Sequence, residues 1–362
     1  MRVLLTGSAG FIGGEIGRQL ATAGHEVIGV DLMLPMAHGE SDPPQGTHQL
    51  DVRDAAADAW GDLLHGVDAV CHQAAVVGAG VTVADLPAYA GHNDLGTAAL
   101  LAAMDAAGLR RLVLASSMVV YGEGRYECPQ HGEQSPPPRS REALDSGDFD
   151  NHCPRCDGAL GWELVPETAR MDPRSTYAVS KLAQEHYTSA WVRQAGARAV
   201  ALRYHNVYGP GMPRDTPYSG VAAMFRSSLE RGEPPQVYED GAQMRDFVHV
   251  SDVARANVLA LEAVTGAGHG WFETYNVCSG QPVAIADVAR QVARGAAASD
   301  AADEGSGAGH AAVEPRVTGG YRLGDVRHIV ASPRKAASEL GFTAQVGPQE
   351  GLAEFATAPL RA

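Results

Sequence analysis

A chain of 362 residues with 45% apolar content can bury one large core, or two cores sharing a sheet, which excludes a disordered or fibrous protein. Its 28 Lys and Arg against 43 Asp and Glu give a formal charge of −15, which opposes nucleic acid or an anionic membrane surface as a partner. An anionic small molecule would have to be held locally, by a few arginines and by backbone N–H groups.

The chain opens with a predicted strand at 3–6, a glycine turn, a helical stretch to residue 23 and a second strand at 26–30, which is a β-α-β unit. This start has no room for the apolar run of a signal peptide, and no segment approaches the ~20 apolar residues of a membrane span. A cytoplasmic protein is expected, its five cysteines reduced or bound to metal. Further strands are predicted at 69–72, 112–116 and 199–203, separated by helices at 95–107 and 176–194. Strands alternating with helices imply a parallel sheet covered on both faces. Beyond Tyr204 come prolines and glycines, then helices at 220–231 and 251–264, and residues 204–362 are assigned mainly to a smaller lobe after a nucleotide-binding domain over 1–203. Two stretches break the pattern: an insertion at 122–172 holding three of the cysteines, and a tract at 289–313 that starts helical and passes into an acidic, small-residue loop.

Gly7, Gly10 and Gly13 lie between the first strand and the first helix in GxxGxxG spacing, a departure from GxGxxG that keeps its logic: glycines let a pyrophosphate approach backbone at the positive end of a helix. A plain tight turn is the alternative. Asp31 follows the second strand, where a carboxylate can accept both ribose hydroxyls of an adenosine. No Arg or Lys follows in 32–34 to hold a 2′-phosphate, so NAD is favoured over NADP. Asp51 and Val52 sit where an adenine edge could be met.

Tyr177 and Lys181 share a face of a predicted helix at i and i+4. A phenol becomes a base near neutrality only where positive charge favours the phenolate, and the lysine and a nicotinamide would both supply it. Ser117 falls at the carboxyl end of a predicted strand, where open α/β sheets place their ligand crevice.

These segments, with HQAA at 72–75, NDLGT at 93–97, LRYHNVYGPG at 202–211, RDFVHVSDVARA at 245–256 and RLGDVRH at 322–328, resemble the extended short-chain dehydrogenase/reductase family, specifically its sugar-nucleotide 4-epimerases and dehydratases. The resemblance implies a Rossmann-like doubly wound sheet, a tightly held NAD and a C-terminal lobe for a nucleoside-diphosphate sugar. It implies Tyr177 as catalytic base, Lys181 as the group that lowers its pKa, and Ser117 as the hydroxyl bridging Tyr177 and the sugar. Phe11, Ile12, Ala74, Asn93 and Ser116 join the residues above as cofactor contacts. Asn206 corresponds to an amide near the sugar, and Arg245 and Arg322 to a diphosphate clamp. A homodimer is expected. Dehydrating and decarboxylating members carry carboxylates after the catalytic hydroxyl; Met118, Val119, Val120 and Tyr121 supply none, which disfavours both reactions. His205 stands where the family often has Phe, and Leu323 where it often has Pro.

Cys128 and His131, then Cys153 and Cys156, form two ligand pairs with 21 residues between, the spacing of a closed structural zinc knuckle; His152 could replace His131. Unrelated thiols or a redox pair are the alternatives. Cys71 and Cys278 read as inert buried thiols. A similar insert marks a subset resembling dTDP-L-rhamnose 4-epimerases, which suggests that substrate. A UDP-glucose/UDP-galactose 4-epimerase, a 4-ketoreductase or 4-dehydrogenase with net redox turnover, and a non-catalytic nucleotide-sensing scaffold stay open.

Overall fold

The structure is a computed structural model that describes residues 1–78, 83–214, 220–303 and 312–361. Seven strands form its central sheet: β1 (Arg2–Thr6), β2 (Glu26–Asp31), β3 (Thr47–Gln49), β4 (Ala69–His72), β5 (Arg111–Ser117), β6 (Arg198–Tyr204) and β7 (Trp271–Val277). Their spatial order is β7-β6-β5-β4-β1-β2-β3, and every pairing is parallel. The apolar runs of β1, β4, β5 and β6 are buried on both faces, as a sheet sandwiched by helices requires. On one side pack α1 (Phe11–Thr22) and the helix Val250–Gly266; on the other pack α2 (Gly96–Ala106) and α3 (Thr176–Ala195). Local chemistry fixes α3: Ser175 caps it by accepting from Ala178 N at 3.1 Å, and Gly196 ends it in the left-handed conformation at φ 62°.

The C-terminal half is interlocked with the sheet, because it returns to supply β7 and the helix Val250–Gly266. Its own lobe is built on Asn206–Tyr208 parallel to Met244–His249, which pairs antiparallel with Pro282–Ala284. Helices Val221–Glu230, Ile285–Asp303 and Pro348–Phe355 enclose that core.

The tract from 289 starts helical, and the helix extends through the alanine-rich part to Asp303. Alanine dominates 296–302 and favours helix, and Gly295 lets the helix approach the carbonyl of Ala353 without a Cβ in the way. The remaining expected loop, 304–311, lies outside the described residues. The insertion carries a three-stranded antiparallel sheet, with Arg125–Cys128 between Gly132–Gln134 and Gly161–Glu163. Among the described residues no helix is long and apolar enough to cross a membrane. None of the five cysteines is in a disulfide.

Candidate active site and metal cluster

The turn after β1 is shaped by contact. Gly7 has φ +68° and presses on the backbone of Gln73 and Ala74, while a Cβ on Gly13 would lie 1.9 Å from Gly7 O. Only glycine fits either position, and the first N–H groups of α1, around Phe11 and Ile12, lack intrahelical partners. Such a cradle fits the pyrophosphate of a dinucleotide. Asp31, at the end of β2, is 8% exposed and accepts from Ala9 N at 3.0 Å and Met33 N at 2.9 Å, with His38 Nε2 at 3.3 Å. Burial pushes its carboxyl up, but His38 and the two N–H groups outweigh that and leave it below the usual carboxylate range. Arg361, which sequence reasoning missed because it lies at the other end of the chain, donates to Ala9 O at 2.6 Å and Ala37 O at 2.9 Å beside this carboxylate.

Four expected cofactor contacts have partners within the protein. Asp51 caps a short turn and is paired to Arg53, and Val52 belongs to the apolar core. Asn93, fully buried, donates to Val76 O and Ser180 Oγ at 2.9 Å and accepts from Val76 N, so it ties the loop after β4 to α3. Ser116 turns away from the cleft and donates to Glu185 at 2.5 Å, in a buried cluster with Arg203. Ala74 N remains at the turn, donating to Thr6 Oγ1 at 3.2 Å.

The register of β5 and β6 sets Ser117 beside Tyr204 at the carboxyl end of the sheet, and α3 carries Tyr177 and Lys181 across that edge. Lys181 is 3% exposed and donates to Ala115 O at 2.9 Å; its Nζ lies 5.8 Å from the Tyr177 ring centroid. Burial lowers the ammonium to about 7, against the pull of Glu185. Burial also pushes the Tyr177 phenol above its ordinary range; the Ser117 hydroxyl opposes this and Tyr89 adds to it. Lys181 stands beside the phenol, with its ammonium anchored to β5 through Ala115 O.

A cleft of about 390 Å³ is lined by Asn206, Arg245 and Arg322, the three residues expected to hold the sugar nucleotide, and Asn206 reaches Met118, next to Ser117, at 3.7 Å. Asn206 donates to Asp246 O at 2.8 Å. Arg245 uses three N–H groups on the carbonyls of Met244, Arg327 and Val326, and Arg322 lies 5.4 Å over the Tyr238 ring. Tyr238, Gln243 and Asp325 also line it and were not singled out from the sequence. Asp325 could have been found, three positions after Arg322 in a recognised motif. His205, next to Asn206, is 3% exposed with neither ring nitrogen partnered.

In the insertion, the ligand atoms of Cys128, His131, Cys153 and Cys156 all lie within 4.8 Å of one another. Burial works against ionising Cys153, yet the N–H groups of Arg155 and Cys156, with Cys128 and His131, bring its thiol down to about 6. A set of three thiols and one imidazole at this spacing fits tetrahedral zinc. His152 is engaged with Asp148 and the carbonyl of Asp157 instead.

A profile of the NAD dependent epimerase/dehydratase family matches residues 3–143 and 162–278, and its gap falls within the insertion. The chain is 32% identical over 369 aligned positions, 98% of its length and 94% of the relative's, to dTDP-L-rhamnose 4-epimerase of Burkholderia thailandensis. It superposes on the Thermus thermophilus UDP-glucose 4-epimerase complex with NAD at a TM-score of 0.72, with 31% identity over 98% of both chains. MoeE5 in complex with UDP-glucuronic acid and NAD gives a TM-score of 0.70 and 29% identity over the same shares.

Proposed function

The chain belongs to the NAD-dependent epimerase/dehydratase family, and on that premise we propose that it is an NAD-dependent 4-epimerase of a nucleoside-diphosphate hexose. The observation that carries this reading is the edge where Ser117, Tyr177 and Lys181 meet, with a dinucleotide cradle and a cleft that includes Arg245 and Arg322 in the same chain. Tyr177, as its phenolate, accepts the proton of the sugar's C4 hydroxyl to become the phenol, and later returns it. Ser117 holds the hydroxyl in line with the phenol, and Lys181 holds the nicotinamide ribose. The bound nicotinamide supplies the chemistry of accepting a hydride from C4 and giving it back. Arg245 and Arg322 hold the diphosphate, about which the 4-keto sugar turns to offer its other face.

Elimination has no support at the site. Met118–Tyr121 carries no carboxylate, and Glu123 is committed to Asn151, Arg174 and the N–H of Arg327. A dTDP-6-deoxyhexose such as dTDP-L-rhamnose is the substrate we favour, on the similarity to the B. thailandensis enzyme; UDP-glucose is the alternative, on the T. thermophilus structure. Zinc is assigned to Cys128, His131, Cys153 and Cys156 as a structural ion, since four protein ligands leave no open position. A homodimer through the outer faces of α2 and α3 accounts for Val179 and Tyr187, which are about half exposed there. Calorimetric titration with dTDP-, UDP- and GDP-hexoses tests the substrate; C4 epimers formed without added cofactor test the reaction.

A further inference from the structure

The segment 321–328 places Arg322 and Asp325 at the cleft and offers the carbonyls of Val326 and Arg327 to Arg245. It is gripped by the insertion. Arg139 donates to Asp325 O at 2.7 Å and to Phe149 O at 2.8 Å, and pairs with Glu239 at 2.8 Å. One oxygen of Glu123 accepts both Arg327 N and Asn151 Nδ2, each at 2.7 Å. Asp150 pairs with Arg327 at 2.9 Å, and the Tyr126 hydroxyl accepts from His328 N at 3.0 Å.

These bonds have little freedom. Arg139, Arg327 and Glu239 are each 5% exposed or less, so the charges are held in one geometry by the loss that unpairing would bring. The insertion ends of the grip lie against the metal cluster: Tyr126 packs with Cys128, Cys153 and Leu160, and Asn151 stands two residues before Cys153.

We propose that the insertion is the support of the substrate clamp: Arg139, Glu123 and Asp150 position 321–328, and through it Arg322, Asp325 and the Arg245 guanidinium, for a nucleoside diphosphate. The inference rests on the cleft reading above and, for the role of the ion, on the zinc assignment. Arg139 is a positioning residue, acting through the loop. The dinucleotide cradle lies on other elements, so the effect falls on the sugar nucleotide and spares NAD.

The test uses full-length, NAD-loaded protein, with UDP and dTDP titrated calorimetrically into the wild type, Arg139→Met and Asp150→Asn, and zinc measured on each sample. Asp150 is half exposed, so its substitution leaves folding intact even where Arg139→Met does not. The expected result is a tenfold or greater loss of nucleoside-diphosphate affinity in Arg139→Met and a smaller loss in Asp150→Asn. NAD affinity changes less than twofold, and KM rises without a matching fall in kcat. Wild-type affinity in both variants, or an equal loss of NAD and nucleoside diphosphate, overturns the proposal. A wild type that binds neither probe overturns the cleft reading itself, whereas a zinc-free wild type with a weakened Arg139→Met refutes only the metal assignment.

Discussion

The Lys181 ammonium hydrogen-bonds to Ala115 O at 2.9 Å and stands 5.8 Å from the centre of the Tyr177 ring. The pair is held by two different elements, the phenol by α3 and the ammonium by its bond to β5. Tyr177→Phe should therefore abolish turnover while NAD stays bound, because the ring remains and only the proton acceptor goes. Steady-state kinetics check this; activity within about tenfold of wild type, a barrier change of only ~1.4 kcal/mol, would contradict the role.

Lys181 also predicts a pH dependence. Burial lowers it to about 7 in the folded protein, against 10.5 for a lysine in water. Between those values the unfolded chain binds the extra proton, so stability gains with rising pH; below about 7 both states are protonated and the gain is absent. Lys181→Met removes the titrating group. Melting temperatures of cofactor-free wild type and variant should diverge in favour of the wild type from pH 7 towards pH 10, and parallel curves would refute the burial of this ammonium.

The cysteine cluster predicts close to one zinc per chain by elemental analysis. Cys153→Ser should lose the ion and loosen the insertion while the central sheet keeps its cooperative unfolding, since the ligands all lie in 122–172. A metal-free protein with a rigid insertion, seen by hydrogen exchange, would contradict the assignment.

Cofactor choice turns on Asp31. Its carboxylate should accept ribose hydroxyls and repel a 2′-phosphate, giving preference for NAD over NADP. Asp31→Ala should erode the preference, and the Arg361 guanidinium left at Ala9 O should strengthen the gain for NADP. Equal affinity of the wild type for both cofactors would contradict this account.

Much of the site was legible because it is local. Gly7 to Gly13, Tyr177 to Lys181, and each ligand pair of the cluster are encoded in spacings of a few residues, which a helix or turn converts directly into geometry. Fates set by tertiary contact were not legible. Asn93 and Ser116 sit in recognised motifs, yet their side chains are consumed by Ser180 and Glu185, which only the docking of α3 reveals. Arg361 reaches the glycine turn across the whole chain. The strand Thr47–Gln49 has three residues, mostly exposed, too few and too polar for any periodic pattern to announce it.

Hydride taken from C4 should return to the same carbon within one enzyme. Purified protein given C4-deuterated UDP- or dTDP-hexose without added cofactor tests it most directly. The expected product is a mixture of C4 epimers of unchanged mass that retain the label at C4. A requirement for stoichiometric NAD or NADH, or label appearing in free cofactor, would contradict it and make the protein a dehydrogenase or ketoreductase.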